Sequence, residues 1–368
     1  MMTTINALDF TVSLKNTQTT QLVEKRYAGE LLSNQVLLKI DKFAFTSNNI
    51  TYSVVGEQMN YWKFFPTRPG YGIIPVWGLA TVIASGHPQV HVGQRFYGYY
   101  PMSSHLLVTA HQVSDKGFVD HTEHRHSLPP IYNFYTNTAH DYAFSSEMEN
   151  LVAIFRPLFV TSFLIDDYLA EQNFHGASQL LVTSASSKTA QALASLLAHR
   201  KKENSLNLSL IGLTSEKNIE FVRRLGWYDQ TLSYHEISQL NTNEKFVVID
   251  FSGNHRTQFQ VQTLLKDQLV YNCLVGLVDW ENLKGTDPLP QKGEFFFAPS
   301  HAEKRQQEWG SAKFQQNVEV AWQQFINAVK SVISVKEHKG VKTLESLYLD
   351  TLNGRIDPGN ANILSLNE

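Results

Sequence analysis

Residues 180–194 read LLVTSASSKTAQALA. An apolar run enters a turn of small residues and leaves it as a second apolar run with helical spacing. A strand that passes so directly into a helix aims backbone N–H groups and the positive end of the helix dipole at one point, which is how a nucleotide-binding strand-turn-helix begins. Where a dinucleotide fingerprint has glycines, this chain has Ser184, Ser186, Ser187 and Ala190, with Lys188 in mid-turn and Thr189 after it. Serine and alanine are small enough to meet part of that requirement. The serine hydroxyls add donors for phosphate oxygens, and Lys188 either adds positive charge or points to solvent. Taken alone, the same residues also read as a simple helix N-cap.

The segments that follow favour the first reading. Strand Gln179 to Thr183 is succeeded by helix Thr189 to His199, strand Leu206 to Leu213, helix Glu216 to Leu225 and strand Phe246 to Phe251. Two more apolar strands are expected at Leu269 to Leu277 and Gly293 to Ala298. Short, continuously apolar strands separated by helices imply a parallel sheet covered on both faces, a doubly wound α/β domain whose strand C-termini share one edge. Ligands bind at that edge. The second strand ends there in Gly212, Leu213, Thr214 and Ser215, followed by Glu216 and Lys217. An acid at this tip suits the 2′-hydroxyl of NAD, whereas small hydroxyls and a lysine suit the 2′-phosphate of NADP. Thr214 and Ser215 as caps of the next helix is the alternative.

Elsewhere the pattern differs. Residues 1 to about 115 are β-rich, with short apolar runs such as Val36 to Ile40 and Gly78 to Ala84 divided by Gly, Pro and Asn turns. A helical stretch at Leu151 to Gln172 is expected to break at Pro157. Beyond Pro299 a polar segment carries Phe314, Val318, Trp322, Phe325 and Val329 at helical spacing, an amphipathic helix for packing on the sheet. Ile333 to Leu366 returns to short strands around one helix. The organisation expected is a β-rich domain of residues 1–145 completed by 333–368, and an α/β domain of 146–332.

The 368 residues, 42% apolar with a net charge of −3, describe a soluble globular chain with material for sizeable cores. Interspersed charges argue against a nucleic-acid footprint. No apolar run nears the roughly 20 residues that span a bilayer, and no signal segment opens the chain, so no membrane partner and a cytoplasmic location are expected. Cys273, in LVYNCLVGLV, is the single cysteine; disulfides within the chain are excluded and a cysteine-based zinc site is not expected. The loop HTEHRH (His121 to His126) lacks an ordered ligand spacing and reads as solvated surface, so no metal site is assigned.

Together these segments resemble the medium-chain dehydrogenase/reductase superfamily, in its zinc-independent, quinone-reductase-like branch, over nearly the whole chain. QVLLKIDKFAFTSNNITY, RPGYGIIPVWGLATVIASG and VHVGQRFYGYYP are similar in order and spacing to that superfamily's GroES-like domain, with Gly93, Gln94 and Arg95 at a Gly-Asp-Arg-like turn. SASSKTA, GLTSEKN and VVIDFSGN resemble most a group of uncharacterised members. The resemblance implies a GroES-like β domain beside a Rossmann domain and an NADPH-dependent reductase of an activated alkene, quinone or carbonyl compound. It also implies a small-molecule substrate and a homodimer. The pyrophosphate then falls to Ser184, Ser186, Ser187, Lys188 and Thr189, and the 2′-phosphate to Thr214, Ser215, Lys217 and Tyr234. Thr161 in FVTSFLIDDYL falls near the nicotinamide.

Without zinc, hydride transfer to such a substrate needs proximity and a donor to the oxygen that gains charge. Asn49 and Tyr52, in TSNNITY where the superfamily's active-site strand ends, are the catalytic candidates. Each also has a structural reading, Asn49 in a turn and Tyr52 in packing. The aromatic residues from Tyr52 to Trp77 suit a pocket wall, a domain core or a dimer surface. No Tyr-x-x-x-Lys pair, nucleophile elbow or P-loop occurs. A non-catalytic protein on the same scaffold is the competing class.

Overall fold

The computed structural model describes residues 4–27, 30–276 and 293–367. They divide into two units, residues 1–154 with 334–368 and residues 155–333. In the first unit β1 (Ile5–Ser13), β2 (Thr20–Tyr27) and β3 (Gln35–Ala44) lead to a short helix α1 (Ser47–Val54). β4 (Tyr71–Gly72), β5 (Pro75–Ser85), β6 (Arg95–Pro101), β7 (His105–Ser114), β8 (Gly117–Asp120) and β9 (Phe134–Asn137) follow. Helix α2 (Glu149–Glu171) carries the chain into the second unit.

That unit runs β10 (Gln179–Thr183), α3 (Lys188–Glu203), β11 (Ser209–Thr214), α4 (Ile219–Leu225), β12 (Gln230–Ser233), β13 (Phe246–Asp250), α5 (His255–Leu265), β14 (Leu269–Leu274) and β15 (Glu294–Phe295). It ends with α6 (Ala298–Trp309) and α7 (Ser311–Val329). The chain then returns to the first unit as β16 (Ser334–Lys339), α8 (Val341–Leu352) and β17 (Asn360–Ser365).

The first unit is a GroES-like barrel. Strands β3, β5, β6, β9, β8 and β7 pair in that order, and β7 pairs back onto β3 to close the ring. Closure leaves the ring without an unpaired edge. Pairing of β17 with Phe43 and Ala44 of β3 brings the C-terminal segment onto the barrel. Tyr52, Phe64, Phe65 and Tyr99 belong to its buried core, with Tyr61, Trp62 and Trp77 packed against it. The aromatic cluster is therefore core, one of the three readings open to it.

On this unit Glu149 forms ion pairs with Lys42 at 2.5 Å and Arg95 at 2.8 Å. Burial alone raises a carboxyl group's pKa, but the hydrogen bonds and charges of Lys42 and Arg95 outweigh it and hold Glu149 below its ordinary value. A depressed folded-state pKa contributes stability that is complete above the unfolded pKa, about 4.3, and is lost as the pH falls through the folded value. Glu149→Gln is expected to flatten the loss of urea resistance between roughly pH 5 and pH 3 on that account. Identical acid limbs for both proteins, followed by circular dichroism, would contradict it.

The second unit is the Rossmann-type domain. Its sheet is ordered β12-β11-β10-β13-β14-β15 with every pairing parallel. Counted from β10 this is 3-2-1-4-5-6, the order in which a crevice opens between the first and fourth strands at their C-terminal ends. Several boundaries differ from those read in the sequence. The strand expected at Leu269 to Leu277 ends at Leu274, Leu277 itself lying outside the described residues, and α6 already begins at Ala298. Cys273 is buried on β14.

The expected break at Pro157 does not occur: α2 continues through it. An interior proline costs about 3 kcal/mol. Phe155 and Phe159 flank it and pack on α7, with ring centroids 5.1 Å (Phe155–Phe325), 5.2 Å (Phe159–Trp322) and 5.3 Å (Phe159–Phe325) apart, contacts that favour an unbroken helix. Conversely, the single helix expected after Pro299 is two, divided at Gly310, whose φ of +79° suits glycine. Among the described residues no helix is long and apolar enough to cross a membrane.

Candidate nucleotide site

The turn after β10 is held by its own side chains. Ser184 has φ +48°, a left-handed conformation usually left to glycine. The Ala185 N–H donates to the Leu213 carbonyl at 3.0 Å and lays the turn onto β11. Gly212 permits that approach, since a Cβ there would stand 3.0 Å from the Ala185 methyl. Ser187 is the N-cap of α3, its Oγ accepting from the Ala190 N–H at 3.3 Å, so the capping alternative holds for this serine. Among the described residues the N–H groups of Ser186 and Thr189 have no protein acceptor. Lys188, the first helical residue, is buried with its ammonium 5.7 Å from the centre of the Phe155 ring, and the first turn holds no acid.

Ser186 is the hub between this turn and the tip of β11. Its Oγ accepts from Thr214 Oγ1 at 3.2 Å and from Asn218 Nδ2 at 3.1 Å. Asn218 carries no role in the sequence reading, although it closes the GLTSEKN segment; a lone asparagine in a polar stretch gives no signal of the cross-strand contact. Ser215 caps the turn Glu216–Asn218 through its carbonyl, which accepts from the Asn218 N–H at 2.9 Å, and makes no side-chain cap bond. Lys217 is exposed. Tyr234 reaches back from the end of β12, and the Ser184 N–H donates to its hydroxyl at 3.1 Å. Burial raises the Tyr234 phenol, with the Ser184 hydrogen bonds opposing it. Ser184, Ser186, Thr214, Asn218 and Tyr234 thus meet along the C-terminal edge of the sheet.

At the crevice between β10 and β13 the side chains of Thr183 and Asp250 join, the Thr183 hydroxyl donating to Asp250 Oδ1. The same oxygen accepts from the Ser252 N–H at 3.0 Å and from the Ser252 hydroxyl, and Oδ2 accepts from the Gly253 N–H at 3.2 Å. This fastens the two central strands where they diverge. Thr161 lies half-buried on α2, and the Thr189 carbonyl accepts from the Ser162 hydroxyl at 2.9 Å.

Asn49 and Tyr52 lie in the barrel unit on α1, where the sequence places a strand end. Asn49 is committed to a capping box: its Oδ1 accepts from the Thr46 N–H at 2.8 Å while its Nδ2 donates to the Pro75 carbonyl at 3.0 Å. Tyr52 packs on Tyr61, with ring centroids 4.5 Å apart, and burial followed by the nearby Tyr61 keeps its phenol protonated well past neutral pH. In the HTEHRH loop the His121 and His126 rings lie 3.9 Å apart and are exposed, but Arg125 is buried. Among the described residues no group of three His, Cys, Asp or Glu side chains could hold a metal ion.

A family model for a protein of unknown function, DUF2855, matches residues 43–357. The chain belongs to the DUF2855 family. No curated protein matches it. The solved structures similar to this DUF2855 chain include the YhdH oxidoreductase of Salmonella enterica in complex with NADP, 14% identical, covering 99% of both chains at a TM-score of 0.53. The quinone oxidoreductase of Coxiella burnetii is 13% identical, covering 98% of this chain and 99% of its own at 0.54. CurA of Vibrio vulnificus in complex with NADPH is 12% identical, covering 94% of both at 0.54. At such identities the likeness establishes the fold alone, a GroES-like barrel unit and a Rossmann-type unit.

Proposed function

We propose that the protein is an NADPH-dependent, zinc-independent reductase of a small molecule, an activated alkene, quinone or carbonyl compound. The observation that carries this reading is the pair of open N–H groups, Ser186 and Thr189, at the N-terminus of α3 behind the first strand of a 3-2-1-4-5-6 sheet. A pyrophosphate fits there, because the two N–H groups face no competing acceptor at the N-terminus of α3. Thr214, Ser215, Lys217 and Asn218 would hold the adenosine ribose and its 2′-phosphate. Relatives in fold that were solved with NADP and NADPH support the choice of cofactor.

When bound, the nicotinamide supplies a hydride to the substrate. The chain's own part is to orient the two and to hold a proton. Tyr52, whose hydroxyl is carried by α1, is the proton donor in this reading. Asn49 acts through it, since its capping box fixes the helix that carries Tyr52. Thr161 borders the nicotinamide.

Titration with NADPH, followed by calorimetry and thermal shift, tests the reading, as a ligand at 100 times its Kd stabilises a fold by about 2.7 kcal/mol. No shift at millimolar NADPH would sink it. Lys217→Glu is expected to weaken NADPH by about tenfold or more, the scale of one charge-assisted contact, while leaving NADH nearly unchanged. Equal weakening of both would remove Lys217 from the phosphate site.

A further inference from the structure

The open donors at the head of α3 have a neighbour that is not open. The N–H of Ser184, the residue in left-handed conformation that starts the turn, donates to the Tyr234 hydroxyl at 3.1 Å, and the Ser184 hydroxyl lies 3.3 Å from the same oxygen. Tyr234 is anchored for this task. It begins the turn Tyr234–Gln239, which a reciprocal capping box of Ser233 and Glu236 fixes. Its ring packs against the apolar core that includes Leu181, Ile211 and Leu232.

Because β12 and β10 stand on either side of β11, the side chain spans the C-terminal edge of the sheet to reach the turn. That edge is where a dinucleotide would run. A neutral hydroxyl oxygen thus takes a backbone N–H that the first turn of such a domain offers to a phosphate oxygen.

We propose that Tyr234 is a built-in occupant of the nucleotide turn: its hydroxyl satisfies the Ser184 N–H when no nucleotide is present and must be displaced for a pyrophosphate to use that donor. This rests on the reading that the turn takes a dinucleotide, and it assigns Tyr234 a role opposite to that of a 2′-phosphate ligand. A state that has to be abandoned on binding lowers the apparent affinity by the fraction of time it is populated. It also explains how a serine sits in a left-handed conformation: two contacts to one fixed hydroxyl hold it there.

The sign of one substitution decides between the roles. Tyr234→Phe keeps the ring in its core and removes only the oxygen. Calorimetric titration with NADPH is expected to show about fivefold tighter binding for Tyr234→Phe than for the parent, the equivalent of one ordinary hydrogen bond. Binding by Tyr234→Phe alone, with the parent silent, supports the proposal most strongly. Weaker or unchanged binding by Tyr234→Phe overturns it while leaving the reductase reading in place. Absence of binding by both proteins overturns that reading and the occupant with it.

Amide hydrogen exchange at Ser184 in the unliganded proteins gives a readout independent of the cofactor. The N–H is expected to be protected in the parent and to exchange at least tenfold faster in Tyr234→Phe, and equal rates overturn the contact on which the proposal stands.

Discussion

Replacing Arg125 by leucine is expected to lower the stability of the barrel unit by about 3–5 kcal/mol, the cost of leaving a buried charge without its partner. Arg125 is 1% exposed and Asp120 is 3% exposed. The guanidinium Nε donates to Asn133 Oδ1 at 2.9 Å and Nη2 to the Tyr132 carbonyl at 2.7 Å, while Nη1 stands 3.5 Å from Asp120 Oδ2. Phe64 and Phe65 cover the cation, their ring centres 5.2 and 5.1 Å away. The other oxygen of Asp120 binds the loop, accepting from the N–H groups of Thr122 at 3.0 Å and Thr109 at 3.3 Å. Leucine would fill part of the space but leave the buried Asp120 carboxylate without its cation. Adding Asp120→Asn to Arg125→Leu is expected to recover much of the loss, because the uncharged amide still accepts from Thr122 and Thr109. Urea unfolding of the parent, the two single variants and the double variant measures the coupling. Additive effects would show that Arg125 and Asp120 do not stabilise one another.

That pair also marks where sequence reading stops. HTEHRH looks solvated, and most of it is, yet its arginine is the most deeply enclosed charge of the loop because its partners, Asp120 and Asn133, approach only when the loop folds over Phe64 and Phe65. Composition counts charges and does not pair them. The Rossmann-type sheet was legible for the opposite reason: strands covered on both faces must be continuously apolar, and LLV, SLIGL and FVVI announce β10, β11 and β13 directly. The edge strand β12, which reads QTLS, carries no such signature, whereas the opposite edge was read as a strand at Gly293 to Ala298 and is the two-residue β15. Pro157 misled because propensity is local, whereas the packing of Phe155 and Phe159 on α7 is not.

The candidate site divides along the same line. The small-residue turn and the hydroxyl-rich strand tip could be seen in the residues, since both follow from the strand-to-helix pattern. The Ser187 cap is local and was one of the two readings of the turn, but that Ser186 bonds to Thr214 and Asn218 and that Tyr234 crosses to Ser184 depend on strand order and register, which one sequence does not state. Asn49 shows the converse. Thr46 and Asn49 have the spacing of a capping box, and the signal for a helix at Ser47 was present but lay inside a segment that otherwise read as β.

The strongest effect at the nucleotide edge is expected from Asp250→Ala, with a loss of about 2–4 kcal/mol as donors at a buried position lose their acceptor at about 1–3 kcal/mol each. Asp250 is 1% exposed, and donors from Thr183, Ser252 and Gly253 stand in for the water that a carboxylate would otherwise keep. They also tie β13 to β10 where the strands part, so the crevice on which the reductase reading depends should widen along with the fall in stability. Thr183→Val tests the same joint from the other strand, since the Thr183 hydroxyl oxygen accepts from the N–H groups of Phe251 at 3.0 Å and Ser252 at 3.1 Å. Asp250→Asn separates charge from geometry: the amide oxygen can keep the Thr183 and Ser252 donors, but its nitrogen would face the Gly253 N–H. Stability should therefore fall in the order parent, Asp250→Asn, Asp250→Ala when followed by calorimetry. If Asp250→Ala unfolds at the parent's temperature, the joint carries no load. If the order holds and NADPH binding falls with it, the carboxylate that fastens the two central strands is also what shapes the crevice between them.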